Sequence, residues 1–233
     1  MSASRLSSST VIATLAGGLI VSCQARVDNP LNGPEFMGPI ARAAELGGAV
    51  GIRAEGAADI AAVRSHTDLP VIGIRKDFDN GPLYITPTLA AALEIRDAGA
   101  DIIALDATDR PRPNGVTARQ LISDVRRECG RPVMADIDDE ATGLAAADAG
   151  AELIATTLSG YTGGEVPAEA DYTLIERLAD RGLTVVAEGR LRTADDARRA
   201  FDAGAHAVVI GTAITNPWRI TERIVRGMSA ADA

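Results

Sequence analysis

Short apolar runs recur along the whole chain, and alanine-rich segments with helical spacing separate them. The runs are LIVSC (19–23), AVGIRA (49–54), PVIGIR (70–75), DIIALD (101–106), PVMADI (132–137), LIATTL (153–158), LTVVAEG (183–189) and HAVVIG (206–211). Continuous apolar runs of this length are typical of parallel strands buried on both faces. The pattern therefore predicts eight strands that alternate with helices.

The junctions between these elements carry their own signals. Several helical segments end in Gly-Ala directly before the next run, in AGAD, AGAE and AGAH. A glycine that closes a helix in the left-handed region, followed at once by a buried strand, is the expected helix-to-strand junction. At a helix start, Thr193 with Asp196 three positions later predicts a capping box, with Asp in place of the usual Glu.

Eight strand–helix units in 233 residues predict a single-domain α/β protein, a (β/α)₈ TIM barrel over residues 1–233. The alternative is a doubly wound open sheet, but its glycine fingerprint does not follow the first run. We also expect an extra N-terminal helix over residues 6–16, covering the bottom of the barrel.

The stretch GGLIVSCQA, residues 17–25, raises a second interpretation. It resembles the end of a bacterial lipoprotein signal, in which Cys23 would be lipidated. Removal of residues 1–23 would leave seven strands, which cannot close a barrel. Thr14, Gly17 and Gly18 also interrupt the apolar run, and Arg5 alone supplies positive charge in the N-terminal segment before it. We therefore expect residues 19–23 to form the first barrel strand.

Composition narrows the choice of partners. Hydrophobic residues make up 46% of the chain and aromatic residues 3%, which predicts a core of Ala, Val, Ile and Leu. The net charge of −9 argues against nucleic acid and anionic membranes as partners, while a locally basic pocket remains compatible with it. Two cysteines, Cys23 and Cys129, make neither a disulfide framework nor a zinc site, and they fit a cytoplasmic location.

The sequence has two histidines, which excludes a histidine-rich metal site. His66 lies in a predicted helix end and loop, and His206 at the start of the last strand, so both are expected to be structural or solvated. Acid–base chemistry would then come from Lys, Asp, Glu or Tyr side chains. We expect neither a metal nor a cofactor.

Polar residues follow every predicted strand, at the carboxyl ends where this fold places its active site. They are Gln24, Arg53, Lys76, Asp106, Asp136, the segment with Thr157, Ser159 and Tyr161, Glu188 with Gly189 and Arg190, and Gly211 with Thr212. One such residue could be a solvated loop residue. All eight apolar runs end in this way, and several of the residues are charged, which indicates a site because charged side chains are rarely buried without partners.

Two features of these strand ends suggest a substrate. In AEGR and GTAIT, small residues would let backbone N–H groups approach an anion, and the loops after strands seven and eight are the usual phosphate site of this fold. Lys76, Glu188 and Asp136, without metal-binding histidines, favour metal-free proton abstraction next to a carbonyl. For the first feature, the alternative is that the glycines serve only tight turns. For the second, it is that the charged residues form ion pairs that only stabilise the structure.

Together, these residues resemble the N-acetylmannosamine-6-phosphate 2-epimerase family. The matching strings are LIVSCQ, IRAEG, PVIGIRKD with YITPT, DIIALDATDRPRP, MADI, TTLSGYT, VVAEGR and IGTAIT, in order from residue 17 to about 220. The resemblance implies a barrel enzyme that interconverts N-acetylmannosamine 6-phosphate and N-acetylglucosamine 6-phosphate in bacterial sialic-acid catabolism, without a cofactor. It implies that Lys76 and Glu188 are catalytic, and that Gln24, Arg53 and Asp136 bind the sugar or support catalysis.

The chemistry of such a reaction fits the residues. In the open-chain sugar, the proton on carbon 2 is acidic because the carbon 1 aldehyde is adjacent, and the resulting enolate can be reprotonated on its other face. Arg53 is placed to stabilise the developing negative charge. Glu188 either moves protons at the sugar oxygens or serves as a second base.

The chain departs from the family pattern at two places. The family commonly has Lys-Arg-Asp after the third strand, whereas this chain has Arg75-Lys76-Asp77 and one residue fewer before YITPT. We assign the catalytic position to Lys76 rather than Arg75, because a deletion is absorbed more easily in a loop than in a buried strand. The second departure is Asn216, where the family usually has Arg. Arg190 or Arg219 is expected to supply that phosphate contact.

Two other functions remain open at this point. One is a different phosphosugar isomerase or lyase, and the other is a catalytically impaired protein that binds a sugar phosphate. The expected partner in each case is a small phosphorylated sugar, and a homodimer is possible.

Overall fold

The computed structural model is a closed barrel of eight parallel strands and describes residues 7–77, 85–112, 115–163 and 165–229. The strands are β1 (Leu19–Cys23), β2 (Gly51–Glu55), β3 (Val71–Ile74), β4 (Ile102–Asp106), β5 (Val133–Asp136), β6 (Leu153–Ala155), β7 (Val185–Glu188) and β8 (Ala207–Ile210). The helices are α1 (Ser8–Ala13), α2 (Pro34–Leu46), α3 (Ala57–His66), α4 (Leu89–Asp97), α5 (Ala118–Cys129), α6 (Glu140–Asp148), α7 (Tyr172–Asp180), α8 (Ala194–Asp202), α9 (Thr212–Thr215) and α10 (Pro217–Ser229). The predicted (β/α)₈ TIM barrel is confirmed.

The first strand is an integral part of this barrel. β1 pairs in parallel with β2 on one side, and on the other it closes the ring by pairing with β8, for example Leu19 with Val208 and Val21 with Ile210. Cys23 at its end is fully buried, and burial raises the pKa of its thiol to about 12. Residues 19–23 thus form a barrel strand, as predicted from the count of apolar runs.

β6 is shorter than its apolar run. It ends at Ala155, and Thr156–Leu158 form a 3₁₀ helix. The reason is the Thr156 hydroxyl, which donates to the Glu188 carbonyl oxygen at 3.0 Å and accepts from the Glu188 N–H at 3.2 Å. These bonds turn the chain across the end of β7, so the run LIATTL is half strand and half turn.

The core has two parts, one inside the barrel and one between the strands and the helices. Ile20, Ile72, Ile102 and Met134 fill the interior, and all four are fully buried. The outer layer has the same aliphatic character, as the low aromatic content predicted. Burial of apolar side chains is the main source of stability for such a fold.

Helix α1 closes the bottom of the barrel, as expected. Val11 and Leu15 are buried in the same cluster as the interior residues of the strands. His206, just before β8, is within 3.0 Å (Nε2) of the Ile12 carbonyl oxygen. His66 ends α3 and contacts the Ala62 carbonyl oxygen through Nδ1 at 2.8 Å. Both histidines are structural, as predicted.

The predicted helix signals are also confirmed. Thr193 and Asp196 form the capping box at the start of α8. Gly99, Gly150 and Gly204, each in a Gly-Ala junction, have φ values of 113°, 102° and 95°. Glycine adopts a positive φ freely, whereas other residues adopt it with strain. A glycine at these positions therefore ends each helix and lets the next strand begin directly.

The last helix that the structure describes, α10, has apolar residues that are exposed. The side chain of Asn216 caps α10 by accepting a hydrogen bond from the Arg219 N–H at 3.1 Å. The main contacts of α10 within the chain are with α9. Along α10, Ile224, Val225 and Met228 are 56%, 54% and 71% exposed. In the part of the chain that the structure describes, no helix is both long and apolar enough to span a membrane.

Candidate active site

A cavity of about 620 Å³ lies at the carboxyl ends of the strands. Nine of the twelve residues predicted for catalysis or binding line it: Gln24, Lys76, Thr157, Tyr161, Glu188, Gly189, Arg190, Gly211 and Thr212. The other three, Arg53, Asp136 and Ser159, are buried outside its lining. The strand ends therefore converge on one site, with a second set of polar residues behind its wall.

Arg53 holds two carboxylates behind the cavity. Its guanidinium donates to both oxygens of Asp136, at 2.7 and 3.0 Å, and to Oε2 of Glu188 at 2.6 Å. Arg53 is 1% exposed and Asp136 is fully buried. A bidentate, charge-assisted pair of this kind fixes geometry as well as charge. Arg53 thus links β2 to β5 and β7 and orients the Glu188 carboxylate.

Lys76 follows β3 and lines the cavity, and it is the sole lysine in the sequence. Burial lowers the pKa of its ammonium group, as do the positive charges of Arg53 and Arg26, while Glu55 and Glu188 raise it. A lowered pKa increases the fraction of neutral amine, which is the form that accepts a proton. The other 22 cationic side chains are arginines, which stay protonated.

The neighbouring Arg75 faces away from this site. Its side chain is 44% exposed, and it reaches towards Glu55 at 3.7 Å and Glu94 of α4 at 3.6 Å. Glu94 lies on the helical layer outside the barrel. The lysine, and not the arginine, therefore lines the cavity, which supports the assignment made from the sequence; the loop expected to absorb the one-residue deletion lies outside the described residues.

Glu188 ends β7 on the cavity wall, with its side chain 15% exposed. Burial raises the pKa of its carboxyl to about 7; the charge of Asp136 also raises the pKa, whereas Arg53, Thr157 and Lys76 lower it. Near neutral pH this carboxyl can therefore both give and accept a proton.

Lys76 and Glu188 stand on opposite walls. Their strands, β3 and β7, are four positions apart in a ring of eight. The pKa of the lysine is lowered and that of the carboxyl is raised, so the environment moves both groups towards neutral pH. Titratable groups paired in this way are typical of acid–base sites.

Smaller polar side chains complete the inner wall. Gln24 donates to the Ser22 hydroxyl at 2.7 Å, and the Thr157 hydroxyl donates to Asp136. Ser159 differs from the expectation, because its hydroxyl donates to Asp171 at 2.7 Å. Asp171 caps α7, so the Ser159 hydroxyl anchors a helix start and does not face the cavity.

The cavity is strongly basic despite the acidic chain. Among the residues that the structure describes, six cationic side chains and one carboxylate line it. Besides Lys76, the cations are Arg26, Arg190, Arg192, Arg219 and Arg223. Such a concentration of positive charge in a cleft attracts an anionic ligand.

Three of these arginines were missed from the sequence, because Arg26, Arg192 and Arg223 lie beyond the strand ends. A signal existed for Arg223, which is one helical turn after Arg219 on the same face of α10. Arg190 lines the cavity, but its guanidinium also donates to the carbonyl oxygens of Ser159 and Glu169. It stacks over Tyr161 at 5.3 Å from the ring centroid.

The two cavity glycines have structural reasons of their own. Gly189 has a φ of 107°, which other residues adopt with strain. A Cβ added at Gly211 would lie 3.0 Å from the Cβ of Ser22. Both constraints agree with the interpretation that the two glycines serve the turns of the backbone. Because neither residue has a side chain, the backbone also comes close to the cavity.

The acidic residues that the structure describes near the strand ends serve other roles. Among the described residues, no group of three or more His, Cys, Asp or Glu side chains could hold a metal ion. Asp106, at the end of β4, accepts hydrogen bonds from the Thr108 N–H and hydroxyl at 3.0 and 2.7 Å and pairs with Arg110. Asp106 therefore stabilises the loop that follows β4.

Comparisons with known proteins agree with this geometry. A family model described as "Putative N-acetylmannosamine-6-phosphate epimerase" matches residues 37–230. A Cutibacterium acnes protein named "Putative N-acetylmannosamine-6-phosphate 2-epimerase" is 51% identical over 215 residues, covering 91% of this chain and 93% of the relative. A Caldanaerobacter subterraneus protein of the same name is 46% identical over 219 residues, 92% of each chain. The solved structure of the N-acetylmannosamine-6-phosphate 2-epimerase from Clostridium perfringens is 41% identical, with a TM-score of 0.88 over 92% of this chain and 95% of that one.

Proposed function

The chain belongs to the N-acetylmannosamine-6-phosphate epimerase family, and we propose that Lys76 and Glu188 carry out its proton transfers. It interconverts N-acetylmannosamine 6-phosphate and N-acetylglucosamine 6-phosphate, which differ in configuration at carbon 2. The observation that carries the residue assignment is the placement of two groups, with pKa values shifted towards neutral pH, on opposite walls of one cavity.

Inversion at carbon 2 needs a proton removed from one face and returned to the other. The neutral amine of Lys76 takes the proton, and the electrons of the C–H bond form the carbon 1–carbon 2 double bond of an enolate, whose negative charge lies on the carbon 1 oxygen. The protonated carboxyl of Glu188 then supplies a proton to the opposite face. In the reverse direction the two roles exchange, so the pair carries one proton before and after each turnover.

Arg53 and Asp136 support this pair from behind. Arg53 lowers the pKa of Lys76 and, with Thr157, limits how far burial raises the pKa of Glu188. Its bond to Glu188 at 2.6 Å holds the carboxyl towards the cavity. Preorganised groups of this kind stabilise charge without rearranging during the reaction.

The basic part of the cavity suits the phosphate group of the sugar. Arg219 and Arg223 lie one helical turn apart on α10, and both line the cavity beside Asn216 and Thr212. Because Asn216 is occupied as the cap of α10, these arginines supply the cationic contact in its place. Binding energy from a remote phosphate can be used at the reacting carbon.

Proton NMR in deuterated water tests this function. With N-acetylmannosamine 6-phosphate we expect the signals of the other epimer to grow and deuterium to enter carbon 2, because both bases exchange with solvent. Unphosphorylated N-acetylmannosamine is the control, and we expect a far lower kcat/KM for it. Equal efficiency on both sugars would contradict the phosphate assignment, and product without deuterium would contradict the two-base scheme. Binding without turnover would favour the impaired sugar-phosphate-binding protein.

We also propose that the protein forms a homodimer. Ile224 and Met228, one turn apart on α10, are apolar side chains that are 56% and 71% exposed. An apolar groove on the barrel, lined by Leu19, Val21, Ile40, Ala44 and Ile214 among others, is also open. Because both surfaces belong to one chain, a second copy can cover them reciprocally, as in other two-fold assemblies.

Sedimentation velocity tests the dimer. We expect a mass near twice 24.1 kDa for the wild type, and a shift towards the monomer for Ile224→Glu, which places a charge in the apolar face. Arg226→Gln on the same helix is the matched control and should remain dimeric. A monomeric wild type at micromolar concentration would contradict the proposal.

A further inference from the structure

Two residues, Ile85 and Thr86, lie between the carboxyl ends of β3 and β4 and are called the spacer below. Within the described strands, β3 pairs with β4 at Ile72 and Gly73. Past these pairs, Ile85 forms an antiparallel bridge with Lys76, and its carbonyl oxygen accepts a hydrogen bond from the Asp106 N–H at 2.9 Å. The segment of Ile85 and Thr86 thus takes the place of β4 beside the residues that carry the proposed base.

Thr86 in this spacer has an unusual backbone conformation. It is fully buried, and its φ is 42°. A β-branched residue in the left-handed region is a steric outlier. Such strain persists only where surrounding contacts determine the conformation, and it concentrates at functional sites.

Two hydrogen bonds join Thr86 to Arg75, the residue before Lys76. The Thr86 N–H donates to the Arg75 carbonyl oxygen at 2.7 Å, and the Thr86 hydroxyl accepts from the Arg75 N–H at 3.0 Å. One residue therefore pairs with both backbone groups of Arg75. The next N–H, that of Lys76, donates to Oε1 of Glu55 at 3.2 Å. Hydrogen bonds therefore fix the backbone at two successive residues, Arg75 and Lys76.

We propose that Thr86 is a positioning residue, which aims the Lys76 side chain into the cavity through its two hydrogen bonds to Arg75. The inference rests on the proposed function, in which Lys76 is the base. Thr86 is not part of the cavity wall, so it acts on the reaction through the backbone. Glycine would adopt this φ without strain, but it has no hydroxyl to accept the Arg75 N–H. The strained threonine is therefore explained by the bond that it makes.

Removal of the hydroxyl tests the inference. Thr86→Val keeps the shape and leaves the Arg75 N–H without its acceptor, and we expect kcat to fall on the order of 10- to 100-fold, as for small misplacements of a reacting group. KM should stay near the wild-type value, because the phosphate contacts are untouched. Thr86→Ser, which keeps the hydroxyl, should restore most of kcat. Thr86→Gly removes both the strain and the hydroxyl; it is the second variant if the valine variant does not fold, and we expect the same loss of kcat.

Thr67→Val is the matched control. Thr67 is also buried, lies in the loop before the same strand, and accepts the Leu69 N–H on its hydroxyl at 3.1 Å. We expect this variant to lower Tm and leave kcat unchanged. If Thr86→Val or Thr86→Gly behaves like Thr67→Val, or if Thr86→Ser fails to restore kcat, the inference is overturned. Retained activity in Lys76→Ala would instead overturn the proposed base, so the two failures are distinguishable.

Discussion

Replacement of Lys76 by alanine is expected to lower turnover by at least roughly 10²–10⁴-fold, the usual loss when a general base is removed. Lys76 is the sole lysine of the chain, and its pKa is lowered by burial and by Arg53, so it is the side chain best suited to accept the carbon 2 proton. Sugar phosphate binding should weaken much less, because the arginine-lined part of the cavity remains. Initial rates by NMR and affinity by calorimetry measure the two effects separately.

Lys76→Arg tests the same assignment with the positive charge retained. A guanidinium stays protonated and cannot accept the proton, so we expect a loss comparable to that of alanine. Thermal unfolding of both variants checks that the barrel is intact. Near-normal epimerisation in Lys76→Ala would show that the base is misassigned, and Glu188 would become the residue to test as the sole base.

Glu188→Gln is expected to lower turnover to a similar degree, roughly 10²–10⁴-fold, because an amide can neither donate nor accept the transferred proton in the way a carboxyl does. The amide oxygen can still accept the Arg53 hydrogen bond, so the change removes titration and largely keeps geometry. Glu169→Gln is the matched control: Glu169 is 70% exposed on its side chain and pairs with Arg199 on the surface, and its replacement should leave turnover unchanged.

The pH profile provides a second readout for Glu188. As pH falls through about 7, Glu188 gains a proton and can no longer accept one in the direction in which it serves as the base. The kcat/KM of the wild type should therefore fall on the acid side near pH 7, and this limb should be absent from the residual activity of Glu188→Gln. The folded state also binds this proton more tightly than the unfolded chain, whose Glu has a pKa near 4.5. Wild-type stability should accordingly decline as pH rises from about 4.5 to 7. A limb that persists in Glu188→Gln would contradict the assignment.

The fold could be predicted because each strand is buried on both faces and so appears as a continuous apolar run. Leu19–Cys23 is the clearest case, since the strand count identified it despite its likeness to an export signal. β6 was predicted too long because its last residues, Thr156–Leu158, are turned by a hydrogen bond to Glu188, 32 positions away. Pairing between distant strands decides such details, and a local pattern does not contain it.

The site was predicted to the extent that strand ends define it. The fold places Lys76 and Glu188 at the carboxyl ends of β3 and β7, and the cavity contains both. Whether a strand-end residue faces the ligand or a second polar residue depends on its partner across the ring. The Arg53 guanidinium donates to Asp136, 83 positions away, and the Ser159 hydroxyl donates to Asp171. Neither of these two groups therefore lies on the cavity wall. The sequence shows the residues but not these pairings.

The closure of the ring by β1 and β8 has a consequence for synthesis of the protein. Leu19 and Val208 pair across about 190 positions of the chain. At about 5–20 residues per second, the ribosome needs about 10 to 40 s between the two strands. During that interval the outer edge of β1 has no strand to pair with, and an open edge is a template for wrong pairing. Lys76 is made long before Glu188, and the two face each other across a cavity only after the ring closes. A nascent chain therefore contains Lys76, the proposed base, well before it can form the cavity that would hold a substrate.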